Sequence, residues 1–124
     1  VGALTSTSAG SLYVALAAGG HVDHGIVRRA AEDSGARLTY YEDFPYAQDA
    51  GSLKAATLGH AWDLEAVSLS EVALRAKITA IARYASQVST FWEGREAMAE
   101  SVRAYARQLG AGSPTERYWR LKSV

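Results

Sequence analysis

The sequence has no cysteine, only two prolines among its 124 residues, and no excess of charge of either sign. Without cysteine the chain can form neither a disulfide framework nor a thiolate zinc site, and this composition fits a reducing compartment, for which we expect the cytoplasm. The 13 basic and 13 acidic residues balance. This balance argues against a nucleic-acid-binding protein, because such proteins carry a basic excess.

Long hydrophobic runs are also lacking. The longest apolar run, residues 12–18, is far shorter than the roughly 20 residues that a membrane-spanning helix needs, and no basic segment precedes it as in a signal peptide. Nearly half of the residues (48%) are nevertheless apolar, which argues against intrinsic disorder. We therefore expect a soluble, folded protein without a membrane span.

The first third of the chain has the pattern of a βαβ unit. Residues 12–17 are apolar without alternation, as in a strand that is buried on both faces, and the turn-forming glycines Gly19 and Gly20 follow. Apolar residues then recur at helical spacing from Val22 onward, and Gly35 stands where glycine often ends a helix. Residues 37–41 (RLTYY) favour a second strand. A strand, a helix and a strand in this order predict an α/β fold with a parallel sheet.

The later segments are mostly helical. Residues 42–63 fit either a loop with a short helix or a longer excursion, and residues 64–69 fit a short edge strand. One helix is predicted by the stripe Leu74, Ile78, Ile81, Ala85 and Val88, with Ser68 and Glu71 as its capping box. A second is predicted by Met98, Val102, Tyr105 and Leu109, ended by Gly110, and the last ten residues form a short aromatic tail.

The segment GGHVDH contains the strongest candidate for chemistry. His21 and His24 lie three residues apart on the first turn of a helix, just past the end of a buried strand, where open α/β sheets place their active sites. Neutral imidazole is a ligand for zinc, and Asp23 could be a further ligand or could orient a histidine. The alternative is a solvated helix start with two surface histidines.

These residues alone do not complete a catalytic zinc site, which takes about three protein ligands and a water molecule. The third histidine, His60, lies in the ambiguous middle segment. Glu42 and Asp43 follow the second strand and therefore lie at the same edge of a parallel sheet as the histidines. They could supply carboxylates, or they could be acidic residues that begin a turn.

Several segments together resemble the second half of the LmbE-like (PIG-L) family of zinc-dependent N-acetylglucosaminyl deacetylases. They are GGHVDH with the helix VRRAAEDSGA, the segment YYEDFPYA, the helix KITAIARYASQV and the ending ERYWR. They are similar to bacterial members that act in specialised metabolism. The resemblance implies a Rossmann-like fold, a parallel sheet flanked by helices. It also implies an N-deacetylase that removes an acetyl group from an amino sugar or glycosylated metabolite.

The resemblance also implies roles for individual residues. In the family pattern, the histidine at the position of His24 binds zinc. His21 would stabilise the tetrahedral intermediate or protonate the leaving amine, and Asp23 would orient or tune a histidine. The YEDFPYA segment would lie at the rim of the site, which makes Asp43 and Tyr46 candidate substrate contacts.

One part of the family pattern has no counterpart in this chain. The family's other two zinc ligands and its general base come from a His-Pro-Asp-Asp-Glu motif, and the chain contains neither an HP nor a DD dipeptide. Residues 1–124 are therefore interpreted as a single domain or as the C-terminal half of a deacetylase domain. The N-terminal half would be cleaved, on another chain or lost, and a homo-oligomer is compatible with the sequence. The rival interpretation is a non-catalytic binding or assembly module that kept the fold.

Overall fold

The computed structural model describes residues 12–122. These residues fall into two units, one made of residues 12–65 and 117–122 and the other of residues 66–116. In the described part of the chain, no helix is both long enough and apolar enough to cross a membrane.

The first unit begins with the predicted βαβ arrangement. Strand β1 (Leu12–Ala15) is followed by helix α1 (Val22–Asp33) and strand β2 (Leu38–Tyr41). The two strands pair in parallel, with Leu12 opposite Leu38 and Ala15 opposite Tyr41. Gly35 adopts a φ of 75° just after α1, as a glycine that ends a helix does. The prediction of a parallel strand pair is confirmed.

The ambiguous middle segment contains a short helix. After β2 come a 3₁₀ turn (Tyr46–Gln48), helix α2 (Ala50–Thr57) and strand β3 (Trp62–Ser68). The Asp49 carboxylate accepts hydrogen bonds from the Ser52 hydroxyl and backbone N–H, both at 2.8 Å, and so caps α2. These two bonds hold the pKa of Asp49 below its usual value. A loop with a short helix is therefore the correct alternative for this segment.

The C-terminal segment is a strand of the sheet, and its interpretation as an aromatic tail is wrong. Strand β4 (Thr115–Leu121) pairs antiparallel with β2, with Tyr40 opposite Trp119. The strand order is β1-β2-β4-β3, so β3 is an edge strand as predicted. The predicted α/β fold, a sheet flanked by helices, is confirmed, although the four-stranded sheet combines parallel and antiparallel pairs.

A hydrophobic cluster in the first unit packs around β1, β2 and β4. Its buried members are Val14, Leu16, Ala31, Tyr40 and Trp119. The Tyr40 hydroxyl donates a 2.7 Å hydrogen bond to Glu32. Burial, reinforced by this bond and by the Glu32 charge, raises the pKa of Tyr40 above the ordinary value of 10.0.

The second unit contains three helices where the periodicity predicted two. The predicted helix through residues 74–88 is broken into α3 (Glu71–Ala82) and α4 (Ala85–Phe91), and α5 (Arg95–Leu109) follows. The stripe is buried at Leu74, Ile78 and Val88, whereas Ile81 is half-buried and Ala85 is exposed. On α5, Met98, Val102, Tyr105 and Ala106 are buried.

The capping box predicted at the start of α3 is also wrong. Ser68 is the last residue of β3, and the residue that caps the helix is Ser70, whose hydroxyl accepts a 3.1 Å hydrogen bond from the Ala73 N–H. Glu71, on the first turn, pairs with Arg75 at 3.6 Å and with Arg103 of α5 at 2.8 Å.

Candidate functional site

A tight turn connects β1 to α1 and forms the floor of the site. Ala17, Gly19 and Gly20 have φ values of 65°, 86° and 67°, in the left-handed region that favours glycine. At Gly19 a side chain would also clash, because an added Cβ would lie 2.8 Å from Cδ1 and 2.9 Å from Cβ of Tyr46. The turn buries Ala18 completely and directs its backbone N–H towards Asp43.

Both histidines of the GGHVDH segment lie at the start of α1. His21 is exposed and is the last residue before the helix, with an extended backbone (φ −64°, ψ 129°). His24 lies on the first turn, and its side chain is 37% exposed. Their ring centroids are 5.0 Å apart. The structure therefore brings the two histidines together at the carboxyl end of β1, as the sequence predicts.

Asp43 lies beneath His24 rather than at the rim. Its Oδ2 atom is 3.0 Å from His24 Nδ1, and its Oδ1 atom accepts a 3.0 Å hydrogen bond from the Ala18 N–H. The residue is only 4% exposed. Because both carboxylate oxygens are engaged inside the chain, this geometry does not suit the substrate contact expected of Asp43.

Asp23 is placed differently from the expectation that it orients a histidine. It is exposed on the first turn of α1, where the helix dipole favours a carboxylate, and it is Asp43 that meets His24 Nδ1. Sequence proximity to His24 thus pointed to Asp23, whereas the contact comes from a residue 19 positions away.

Tyr46 lies beside both histidines. Its ring centroid is 5.8 Å from that of His24, with the planes almost perpendicular, and 6.1 Å from that of His21. The 3₁₀ turn that carries Tyr46 is held to Asp43 by a 2.9 Å hydrogen bond from the Ala47 N–H to the Asp43 carbonyl. The half-buried ring therefore forms a wall of the histidine site.

Glu42 and His60, the other two candidate residues, contact residues other than His21 and His24. Glu42 accepts hydrogen bonds from Arg117 Nε at 2.7 Å and Nη2 at 3.1 Å, and from Trp119 Nε1 at 2.7 Å. Because successive residues of an extended chain point to opposite sides, Glu42 is directed to β4 while Asp43 is directed to His24. His60 is exposed, and its ring lies 6.0 Å from that of Trp62.

Among the described residues, His24 is the candidate metal ligand. Within residues 12–122 there is no group of three or more histidine, aspartate or glutamate side chains that could hold a metal ion. His24 has a carboxylate on Nδ1, which leaves Nε2 as the nitrogen available to a metal, and this arrangement is typical of zinc-binding histidines. The donor chemistry of His24 fits a zinc ion, and any further ligands would have to come from outside the described residues.

No protein-family model and no curated protein matches the sequence, whereas solved structures do. A crystal structure of the A40926 pseudoaglycone deacetylase Dbv21 aligns with a TM-score of 0.69 and 28% identity over 90% of this chain. The zinc-inhibited form of teicoplanin deacetylase Orf2 aligns with a TM-score of 0.69 and 24% identity, also over 90% of this chain. A deacetylase–bog complex from the teicoplanin biosynthesis pathway gives a TM-score of 0.70 and 22% identity over the same share.

The chain shares the fold of these deacetylases. The alignments cover 49%, 44% and 45% of the three neighbouring chains, so this chain spans a little under half of their length. The structural neighbours are of the kind that the resemblance to LmbE-like deacetylases led us to expect.

The contact between Asp43 and His24 is the feature of this site that the sequence did not predict. The available signal was that Asp43 follows β2 and therefore lies at the same sheet edge as the histidines. This rule predicts that the residues are near each other, but it does not predict which side chain is buried or bonded.

Proposed function

We propose that this chain forms part of the active site of a metal-dependent N-deacetylase that acts on an amino sugar or glycosylated metabolite. The observation that carries the proposal is the pair His24–Asp43, with His21 beside it, at the carboxyl ends of two parallel strands. The likeness to the A40926 pseudoaglycone deacetylase at 28% identity supports the reaction class. The lack of cysteine is compatible with action in the cytoplasm.

In this proposal His24 is the one zinc ligand that the described residues supply. Its Nε2 atom would bind the ion, because Nδ1 faces the Asp43 carboxylate at 3.0 Å. A bound zinc ion lowers the pKa of a coordinated water molecule and polarises an amide carbonyl. The remaining ligands and the general base would come from another segment of a longer protein or from a separate chain.

His21 is proposed to stabilise the developing oxyanion or to protonate the leaving amine. It lies one residue before α1 and its side chain is exposed, so it can reach a bound substrate while His24 holds the metal. A donor of this type acts mainly in the transition state, and its loss typically costs about 10²–10³-fold in turnover.

Tyr46 is the proposed substrate contact at the rim, and Asp23 is proposed to assist a histidine. The Tyr46 ring borders both histidines, and a flat apolar face of this kind suits a sugar ring. Asp23 is exposed on the first turn of α1, and in this proposal its carboxylate tunes the neighbouring His21.

Three histidine variants test the proposal in the full-length protein, with acetate release from N-acetylglucosamine-type substrates and elemental analysis measured on the same samples. We expect His24→Ala to lose about one metal ion per site together with activity. His21→Ala should keep the metal and lose most turnover. His60→Ala is the matched control, since this exposed histidine contacts Trp62 instead of the site, and it should retain both.

Each result can contradict one part of the proposal. Equal metal content in the wild type and His24→Ala would remove His24 as a ligand, and undiminished turnover of His21→Ala would remove His21 from the mechanism. No acetate release by the wild type across a panel of N-acyl amino sugars would favour the non-catalytic binding or assembly module.

A further inference from the structure

The buried carboxylate of Asp43 lies 3.0 Å from Nδ1 of His24. We propose that Asp43 is a positioning residue that holds the neutral His24 ring in the tautomer with hydrogen on Nδ1, so that the Nε2 lone pair is ready for a metal ion. The role of this tautomer in metal binding rests on the proposed function, but the tautomer itself can be measured without metal or substrate.

Backbone hydrogen bonds hold both the carboxylate and the main chain of Asp43. The Ala18 N–H donates to Oδ1 at 3.0 Å, and the Ala47 N–H donates to the main-chain carbonyl of Asp43 at 2.9 Å. The left-handed conformation of Ala17 orients the first of these donors. With one oxygen fixed in this way, the second oxygen is left facing His24.

The contact between Asp43 Oδ2 and His24 Nδ1 is compatible with only one tautomer of a neutral His24 ring. An ionised carboxylate only accepts hydrogen bonds, so a 3.0 Å contact between Oδ2 and Nδ1 requires Nδ1 to be the donor. In a neutral imidazole the other nitrogen, Nε2, then has a free lone pair. The burial of Asp43, at 4% exposure, keeps water from competing for the contact.

Asp43→Asn is the informative substitution, because the side chain keeps its shape while one accepting carboxylate oxygen is replaced by a donating NH₂ group. The Ala18 N–H still requires an acceptor, so the amide oxygen of the new side chain takes the place of Oδ1. The amide nitrogen then faces His24 and can only donate. His24 Nδ1 must accept, and the proton moves to Nε2, where a metal ion has to displace it in order to bind.

Long-range ¹H–¹⁵N NMR spectra of the ¹⁵N-labelled chain at about pH 8.5 report the tautomer of each neutral histidine, and the three sets of signals are assigned with single histidine variants. We expect His24 to be mainly the Nδ1–H form in the wild type and mainly the Nε2–H form in Asp43→Asn. Asp23→Asn tests the neighbouring carboxylate, and Asp33→Asn, at the far end of α1, is the neutral control. Neither should change the tautomer.

The proposal is overturned if His24 in the wild type is mainly the Nε2–H form or is doubly protonated at this pH. It is also overturned if Asp43→Asn leaves the tautomer unchanged while its circular dichroism and thermal midpoint show a native fold. A switch caused by Asp23→Asn instead of Asp43→Asn would assign the positioning role to Asp23. A structural role alone would lower the midpoint without moving the proton.

Metal affinity of the full-length protein gives the second measurement. Loss of such a partner of a metal-binding histidine typically costs about 10- to 100-fold in affinity, and we expect this loss for Asp43→Asn but not for Asp33→Asn. If the tautomer switches but the wild type binds no metal, the positioning of the ring stands and the proposed function fails. If the wild type binds metal and Asp43→Asn binds it equally well, the positioning proposal fails.

Discussion

Gly19→Ala should destabilise the chain much more than the same substitution one residue later. Both glycines have positive φ values, 86° for Gly19 and 67° for Gly20. Only Gly19 lies against another residue, because a Cβ there would approach three Tyr46 atoms at 2.8–3.0 Å, whereas a Cβ on Gly20 would meet nothing within 4 Å. The pair of variants therefore separates the cost of the backbone conformation from the cost of the clash.

The two costs can be estimated separately. A left-handed conformation costs a residue with a Cβ about 1–2 kcal/mol, and this cost applies at both positions. Forcing extra atoms into a packed site costs about 1–3 kcal/mol more, and this cost applies at Gly19 alone. The smaller entropy of an unfolded chain with alanine in place of glycine affects both variants equally and cancels. We expect Gly19→Ala to be less stable than Gly20→Ala by about 1–3 kcal/mol.

Thermal denaturation followed by circular dichroism measures this difference. For a domain of this size, 1 kcal/mol corresponds to about 4 °C, so the midpoint of Gly19→Ala should lie roughly 4–12 °C below that of Gly20→Ala. Equal midpoints for the two variants would show that Tyr46 does not pack on the turn. The wall that we assign to the histidine site would then be wrongly placed.

Three further predictions concern stability. Ser70→Ala should lower the free energy of unfolding by about 1 kcal/mol through loss of the α3 cap, whereas Ser68→Ala should change it little, and a denaturant titration distinguishes them. Leu74→Asp should unfold the chain more severely than Ile81→Asp, because Leu74 is fully buried and Ile81 is half-buried; thermal midpoints give the order. Between about pH 9 and pH 11 the wild type should lose more stability than Tyr40→Phe. The raised pKa of Tyr40 means that the unfolded chain ionises first, so stability falls as the pH rises above 10.0.

The sequence predicted the βαβ unit well because its signals are local. An unbroken apolar strand, two glycines and a helical repeat ending at Gly35 occur within about 25 residues, and the structure follows that order. Strand β4 was missed because it is half polar, with Glu116, Arg117 and Arg120 between its apolar residues. The strand is specified by its pairing with β2, which a local pattern does not contain.

The break between α3 and α4 has no signal in the sequence. The apolar spacing continues through Ile81, Ala85 and Val88, and neither glycine nor proline interrupts it. In the structure Tyr84 leaves helical geometry (φ −93°, ψ 66°), and its N–H bonds to the Ile81 carbonyl three residues back. Each helix buries its own apolar residues, Leu74 and Ile78 in α3 and Val88 in α4.

At the candidate site, the sequence predicted that the two histidines lie together, but it did not predict that Asp43 contacts His24. His21 and His24 are neighbours in the chain and remain neighbours on the helix. The partner of His24 is set by the turn that aims the Ala18 N–H at Asp43 and by the direction in which the chain leaves β2. The GGHVDH segment supplies the two glycines of this turn, but it does not contain Asp43 or the direction of the chain after β2.

The position of β4 between β2 and β3 has a consequence for the order in which the chain can fold during its synthesis. Arg117 on β4 pairs with Glu42, 75 residues earlier, so the ribosome releases everything between these partners before the sheet can close. Residues 66–116 are continuous in sequence and can pack as they emerge, whereas β2 and β3 must wait for the strand that joins them. A nascent chain paused before residue 115 would therefore expose two open strand edges, and an open edge is a template for pairing with other chains. We expect such a pause to be the point in synthesis at which this protein depends most on chaperones.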